Sequence, residues 1–259
     1  MKTRIGLLGL LLIAALPRFV YAEDAQASAS ITAAPLRYVF VQGDENKFRE
    51  HHWIQDDYGG GIEEFSLEEK NIPTDFSVSV DGHVNPADND YSTLIHAEKT
   101  DLAYLDFDYE EFSKFYDNSG GVYYPFKNLS SIALDRELEL EIGRIHVEAG
   151  LLIPDKPRLT VAYDRHYKQG SKSRLTWGAV KEGSITRSIA PSFQEIDEMV
   201  DSVELTQSHT IKETEIKGRQ YWEWMSTKSM REEQNFATTG VAADNKIRDQ
   251  YQKPESHVF

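Results

Sequence analysis

The chain has 259 residues, with 43 acidic against 28 basic, a formal net charge of -15 and no cysteine. That balance argues against nucleic acid, whose binding needs clustered Lys and Arg, and against adhesion to an anionic membrane surface. Without cysteine the chain holds no disulfide, thiolate metal site, c-type haem attachment or cysteine nucleophile.

Lys2 and Arg4, the apolar run Ile5–Leu16 and the small-residue site Val20-Tyr21-Ala22 read as a cleaved secretory signal peptide over residues 1–22. The run is shorter than the ~20 apolar residues a spanning helix needs. Residues 23–35 are small and polar and predict a flexible lead-in. Residues 36–259 then form the folded domain. Leu36–Val41 and Ile62–Leu67 are weaker strand candidates, with His51-His52-Trp53 and Gly59-Gly60-Gly61 as an irregular segment between them.

From Asp75 onward the chain repeats stretches of about ten residues that alternate apolar and polar. Strands are predicted near Asp75–Val84, Tyr91–Glu98, Leu102–Glu110, Leu138–Ile153, Arg158–Lys168, Met199–His209 and Glu215–Thr227. Three connections are tight: Lys99-Thr100-Asp101, Pro154-Asp155-Lys156-Pro157 and Ile211–Thr214. Glu111–Glu137 and Gln169–Glu198 are expected to be long polar loops, and Asn85–Asp90 a shorter one. Alternate short and long connections predict an all-β, up-and-down antiparallel meander. The expected architecture is a transmembrane β-barrel with short periplasmic turns and long extracellular loops. A mean hydropathy of -0.53 does not oppose this, because only alternate strand residues face lipid.

One hairpin carries the pattern best. Ile145, Val147, Ala149, Leu151 and Ile153 alternate with Arg144, His146, Glu148, Gly150 and Leu152. After the turn, Leu159, Val161 and Tyr163 alternate with Arg158, Thr160, Ala162 and Asp164, continuing to His166 and Lys168. The arms match the ~9–11 residues with which a tilted strand crosses a bilayer. Upstream, Leu138, Leu140 and Ile142 fall on the opposite row, so a β-bulge is expected at Gly143-Arg144. Arg165 falls on the apolar row, which fits a strand end at the headgroups or a water-facing sheet. Trp222 and Trp224 suit an interfacial girdle, and equally a buried core. No closing strand is expected in Asp244–Phe259, so the barrel is expected to be incomplete at that end.

The charged rows supply the candidate functional residues. Asp106, Asp108, Glu110, Arg144, His146, Glu148, Asp164 and His166 are expected to line a lumen, and the excess of carboxylates there favours cations. No separately positioned acid and base is evident, so a secreted hydrolase is the weakest reading. Asn85–Asp90 is rich in oxygen ligands but lacks the EF-hand pattern and its glycine, and reads as a turn. His51 and His52, if on a strand, point to opposite faces. HExxH, GxSxG, SxxK, GxGxxG and P-loop patterns are absent, so no catalytic residue, metal or cofactor is assigned.

The segments Phe112–Phe126 (FSKFYDNSGGVYYPF) and Leu151–Trp177 (LLIPDKPRLTVAYDRHYKQGSKSRLTW) carry a resemblance. With their hairpin turn and charged strand end, they resemble large bacterial outer-membrane β-barrels, in particular the porin-like barrels associated with decahaem cytochromes. The chain differs from that group in being shorter and free of cysteine. The resemblance implies an outer-membrane location, contact with outer-membrane lipid and a multihaem c-type cytochrome as partner. The leading expectation is therefore a porin-like conduit or a sheath for a partner, without catalysis. The alternative is an exported soluble β-sandwich that binds a ligand or glycan through long loops.

Overall fold

A computed structural model describes residues 25–55, 57–118, 137–182, 185–235 and 246–258. The chain forms one antiparallel meander: β1 (Ala25–Val39), β2 (Asp57–Asn71), β3 (Phe76–Asn85), β4 (Asp90–Lys99), β5 (Ala103–Phe115), β6 (Glu139–Leu151), β7 (Arg158–Glu182), β8 (Ile185–Ile211) and β9 (Thr214–Asn235). Strands β10 (Lys246–Gln252) and β11 (Glu255–Val258) both pair with β9. A single helix, α1 (Glu45–His52), separates β1 from β2, and a 3-10 turn at Ile72–Thr74 joins β2 to β3. Among the described residues the sheet does not close on itself. No helix among them is long and apolar enough to cross a membrane.

The two ends of the sheet differ as the connections predict. At one end the chain reverses within a few residues after β2, β4, β6 and β8. Asp75, Asp101, Asp155 and Lys212 take left-handed φ of 51°, 60°, 59° and 57° there. Short polar side chains tolerate that conformation, so three of the four turns place aspartate at it. The other end carries α1, the turn between β3 and β4, and the connection from β5 to β6.

Several expectations need correction. The predicted loop Gln169–Glu198 is strand instead: β7 and β8 pair from Arg158↔Ser208 out to Glu182↔Ile185. The tip, 183–184, lies outside the described residues, as does most of the predicted loop Glu111–Glu137. Glu111–Phe115 belongs to β5. The lead-in 23–35 is a strand from Ala25 onward, and Gly59-Gly60-Gly61 lies inside β2. Register shifts between Thr32 and Ala33 and between Ala34 and Arg37 absorb the irregularity there. The sequence at Asp244–Phe259 also forms strands, β10 and β11, although its rows are too polar to signal them. The signal-peptide residues lie outside the described part of the chain.

No bulge occurs at Gly143-Arg144, because β5–β6 and β6–β7 stay in continuous register across it. The apolar side chains change faces instead. Leu138 and Leu140 are buried at 2% and 3% exposure on the face opposite Ile145 and Val147. They lie at the helix-bearing end of the sheet, whereas the fully buried Phe115, cross-strand partner of Glu139, lies on the other face under the Arg49 guanidinium.

Three glycines in this sheet sit opposite aromatic rings. Gly82 pairs with Phe65, Gly143 with Tyr167 and Gly150 with Tyr104, and in each case the ring occupies the space a Cβ would take. The ring covers the bare backbone and pins the register across the pair. Replacing Gly150 by valine should therefore cost about 1–3 kcal/mol through overpacking against Tyr104. Adding Tyr104→Ala in the same chain should recover most of that loss, as read from urea midpoints of the folded protein.

Candidate lumen face

Cross-strand register sorts side chains onto two faces. On one face, three adjacent lines run across β3 to β9. The first is Ser79, His96, Asp106, Glu148, Ala162, Glu204 and Tyr221. The second is Asp81, Leu94, Asp108, His146, Asp164, Ser202 and Glu223. The third is His83, Ser92, Glu110, Arg144, His166, Val200 and Met225. All eight candidate residues, Asp106, Asp108, Glu110, Arg144, His146, Glu148, Asp164 and His166, fall within these lines. Strand periodicity and the pairing of β5, β6 and β7 bring them together.

The face is knitted by charge-assisted hydrogen bonds. Arg144 lies between two acids, with Nη2 3.2 Å from Asp164 Oδ1 and Nη1 3.6 Å from Asp108 Oδ2. His146 Nδ1 lies 2.9 Å from the same Asp164 oxygen. Asp106 and Glu148 are direct cross-strand partners, a like-charge contact that is unfavourable alone. Each is held by a neighbour: His96 Nδ1 lies 2.5 Å from Asp106, and the Tyr104 hydroxyl donates to Glu148 at 2.5 Å. Glu110 and His166 flank Arg144 in the register. Near the short-turn end Arg219 donates to both oxygens of Glu204 at 2.7 Å. His96, Tyr104, Glu204 and Arg219 were missed by sequence reasoning. Period two already put Tyr104 in the row of Asp106, whereas the others depend on strand pairing.

The opposite face carries an apolar band over β3 to β9, with Glu69 on β2 and Gln220 on β9 at the ends of one of its lines. One line reads Val80, Ile95, Phe107, Val147, Tyr163, Val203 and Trp222, and the next Val78, Ala97, Leu105, Ala149, Val161 and Leu205. Arg165 stands on this face and is answered from the neighbouring strand. Its Nε and Nη2 donate to Asp201 at 2.7 and 3.3 Å, and the Tyr163 hydroxyl donates to the same carboxylate at 2.6 Å. The line containing the pair, Tyr109–Ile145–Arg165–Asp201–Trp224, borders the helix-bearing end of the apolar band.

Helix α1 is fastened over that end. Asp44 caps it by accepting from Lys47 N, and Trp53, left-handed at its C-terminus, stacks on Phe112 at 6.1 Å. Lys47 pairs with the nearly buried Asp117, and Asn118 Nδ2 donates to Asn46 at 3.0 Å. Burial opposes the charge on Lys47, but the hydrogen bond and charge of Asp117 outweigh it and raise the ammonium above its ordinary range. The tether is therefore complete below the usual lysine range and is lost only as pH rises through the raised value. His51 and His52 lie on this helix and touch edge to face at 4.9 Å, which replaces the strand reading of that pair. Asp88, in the oxygen-rich turn, accepts from Arg37, Gln55 N and Asn85 Nδ2, and so ties the β3–β4 turn to both flanks of α1.

Among the described residues no group of three or more His, Asp or Glu is placed to hold a metal ion. What the polar face offers is carboxylates interleaved with cationic groups at strand spacing. No protein-family model, curated protein or solved structure matches this chain.

Proposed function

We propose that the protein is an outer-membrane β-barrel, exported through its signal peptide, with the ion-paired face lining a conduit for small cations and the apolar face set against lipid. One observation carries this reading: an apolar band that runs over β3 to β9 and has no second layer packed on it among the described residues. Leu105, Leu151 and Val161 on that face are 44%, 42% and 45% exposed. A soluble sheet buries such a face against another layer, whereas a bilayer covers it without one. The sorted ends agree, with short turns at the periplasmic end and α1 at the outer one. As a sheath, its partner would be the multihaem c-type cytochrome that the sequence resemblance implies.

A second reading, an exported soluble binder, draws support from the Arg165–Asp201 pair, which a water-facing surface would accommodate without cost. Extraction separates the two. The barrel stays in the membrane pellet through high salt and carbonate, and release into the supernatant would refute it. Orientation follows from single cysteines in a chain that has none: Ser171→Cys should react with an impermeant thiol reagent on intact cells, and Lys156→Cys should not.

A further inference from the structure

The two edges of the sheet suit each other. Strands β10 and β11 occupy one position beside β9, so the eleven strands fill ten places in the meander. The break between them is bridged, since Thr227 N donates to Pro254 O at 3.1 Å. The residue of this run that cannot donate thus directs its carbonyl at β9. Among the described residues β1 pairs only with β2, and the last run only with β9.

Ten is an even number, so β1 and the last run are antiparallel, as every neighbouring pair in the sheet is. Their lengths agree: β1 covers Ala25–Val39, and the last run extends from Lys246 to Val258. Their polar rows agree as well. Through Glu68 and Ser79, Ser28 shares the polar face with Gln26 and Ser30, while Ala27, Ala29 and Ile31 join the apolar one. On the last run, register with β9 places Gln250, Gln252, Ser256 and Val258 on the polar face and Tyr251, Glu255 and His257 on the other, His257 in the line of the Arg165–Asp201 pair at the border of the apolar band. An open edge in hydrocarbon leaves every second N–H and C=O without a partner, at several kcal/mol for each group.

We infer that β1 pairs with the β10–β11 run, closing a ten-stranded barrel. The inference rests on the outer-membrane reading and narrows its cargo. Eight strands enclose a space that side chains fill and sixteen an aqueous channel. A ten-stranded lumen lined on one wall by the Arg144, Asp108 and Asp164 contacts passes small ions and excludes sugars.

The cysteine-free chain permits a direct test. Each of Gln26, Ser28 and Ser30 is replaced by cysteine in combination with each of Gln250, Gln252 and Ser256, and the protein is oxidised in carbonate-washed outer membranes. At least one pair should convert most of the monomer to a faster-migrating, reducible, internally bridged form. Disulfide-linked dimers alone would assign the edges to a second copy and overturn closure, while leaving the barrel reading intact. Absence of any bridge in membrane-retained protein would overturn closure too, and loss of the protein to the carbonate wash would overturn the reading beneath it. Liposomes carrying the bridged form should pass potassium and exclude sucrose, and sucrose uptake would overturn the narrow lumen.

Discussion

If the apolar face lies against lipid, as proposed, Asp201→Ala should destabilise the protein by about 2–4 kcal/mol, because the Arg165 guanidinium then loses its partner away from water. Arg165 receives two hydrogen-bond acceptors from that carboxylate, and Tyr163 donates a third bond to it. Removing both charges tests the cause. The double variant Arg165→Leu with Asp201→Leu should regain most of the loss, since well-packed apolar side chains replace such pairs at little cost. Were the face in water, the single variant would cost no more than about 1 kcal/mol, as exposed ion pairs do. Urea unfolding of protein refolded into vesicles measures the difference.

The second large effect is an asymmetry between neighbours on one strand. Val147→Arg puts a charge in the middle of the apolar band, between Phe107 and Tyr163, and should cost roughly 2–4 kcal/mol. Glu148→Arg, one residue along, turns the charge toward Asp106 and should be accepted with little loss of stability. It should instead shift ion preference away from cations, because it removes one carboxylate from the wall and adds a positive group. The same vesicle unfolding, with reversal potentials in a salt gradient, reads both outcomes. Equal tolerance at the two sites would mean that water lies on both faces.

Where burial on one face and charge on the other coincide, the sequence was legible. Val78 and Val80 against Ser77 and Ser79, and Val147 and Ala149 against His146 and Glu148, set both strand and facing, and the aspartate turns set the short end. The rows that hold the eight candidate residues follow from period two, and the pairing of β5, β6 and β7 brings those rows to one face. Legibility fails where strands are held by pairing rather than by burial. Ser171 and Lys172 on β7 face Glu195 and Gln194 on β8, a polar ladder with no apolar row to mark it. The stretch of β1 from Gln26 to Thr32 is built from Gln, Ala, Ser, Ile and Thr, whose weak pattern resembles a linker. Pairing partners are not written in local sequence at all. His96 beside Asp106, Asp201 beside Arg165 and Tyr104 over Gly150 therefore emerge only from register. The phase change near Gly143 was visible, but sequence does not separate a bulge from a switch of the apolar side chains to the other face.

The most direct test of the central claim is a cysteine scan of β7 from Leu159 to Lys168 in native outer membranes, using a small water-soluble thiol reagent. Apolar-face positions Leu159, Val161 and Tyr163 should be protected by lipid, and polar-face positions Thr160, Asp164 and His166 should label. The expected result is thus a labelling pattern with a period of two residues. Labelling at every position, or protection of the charged row with reaction along the apolar one, would contradict a membrane-spanning barrel with a polar lumen.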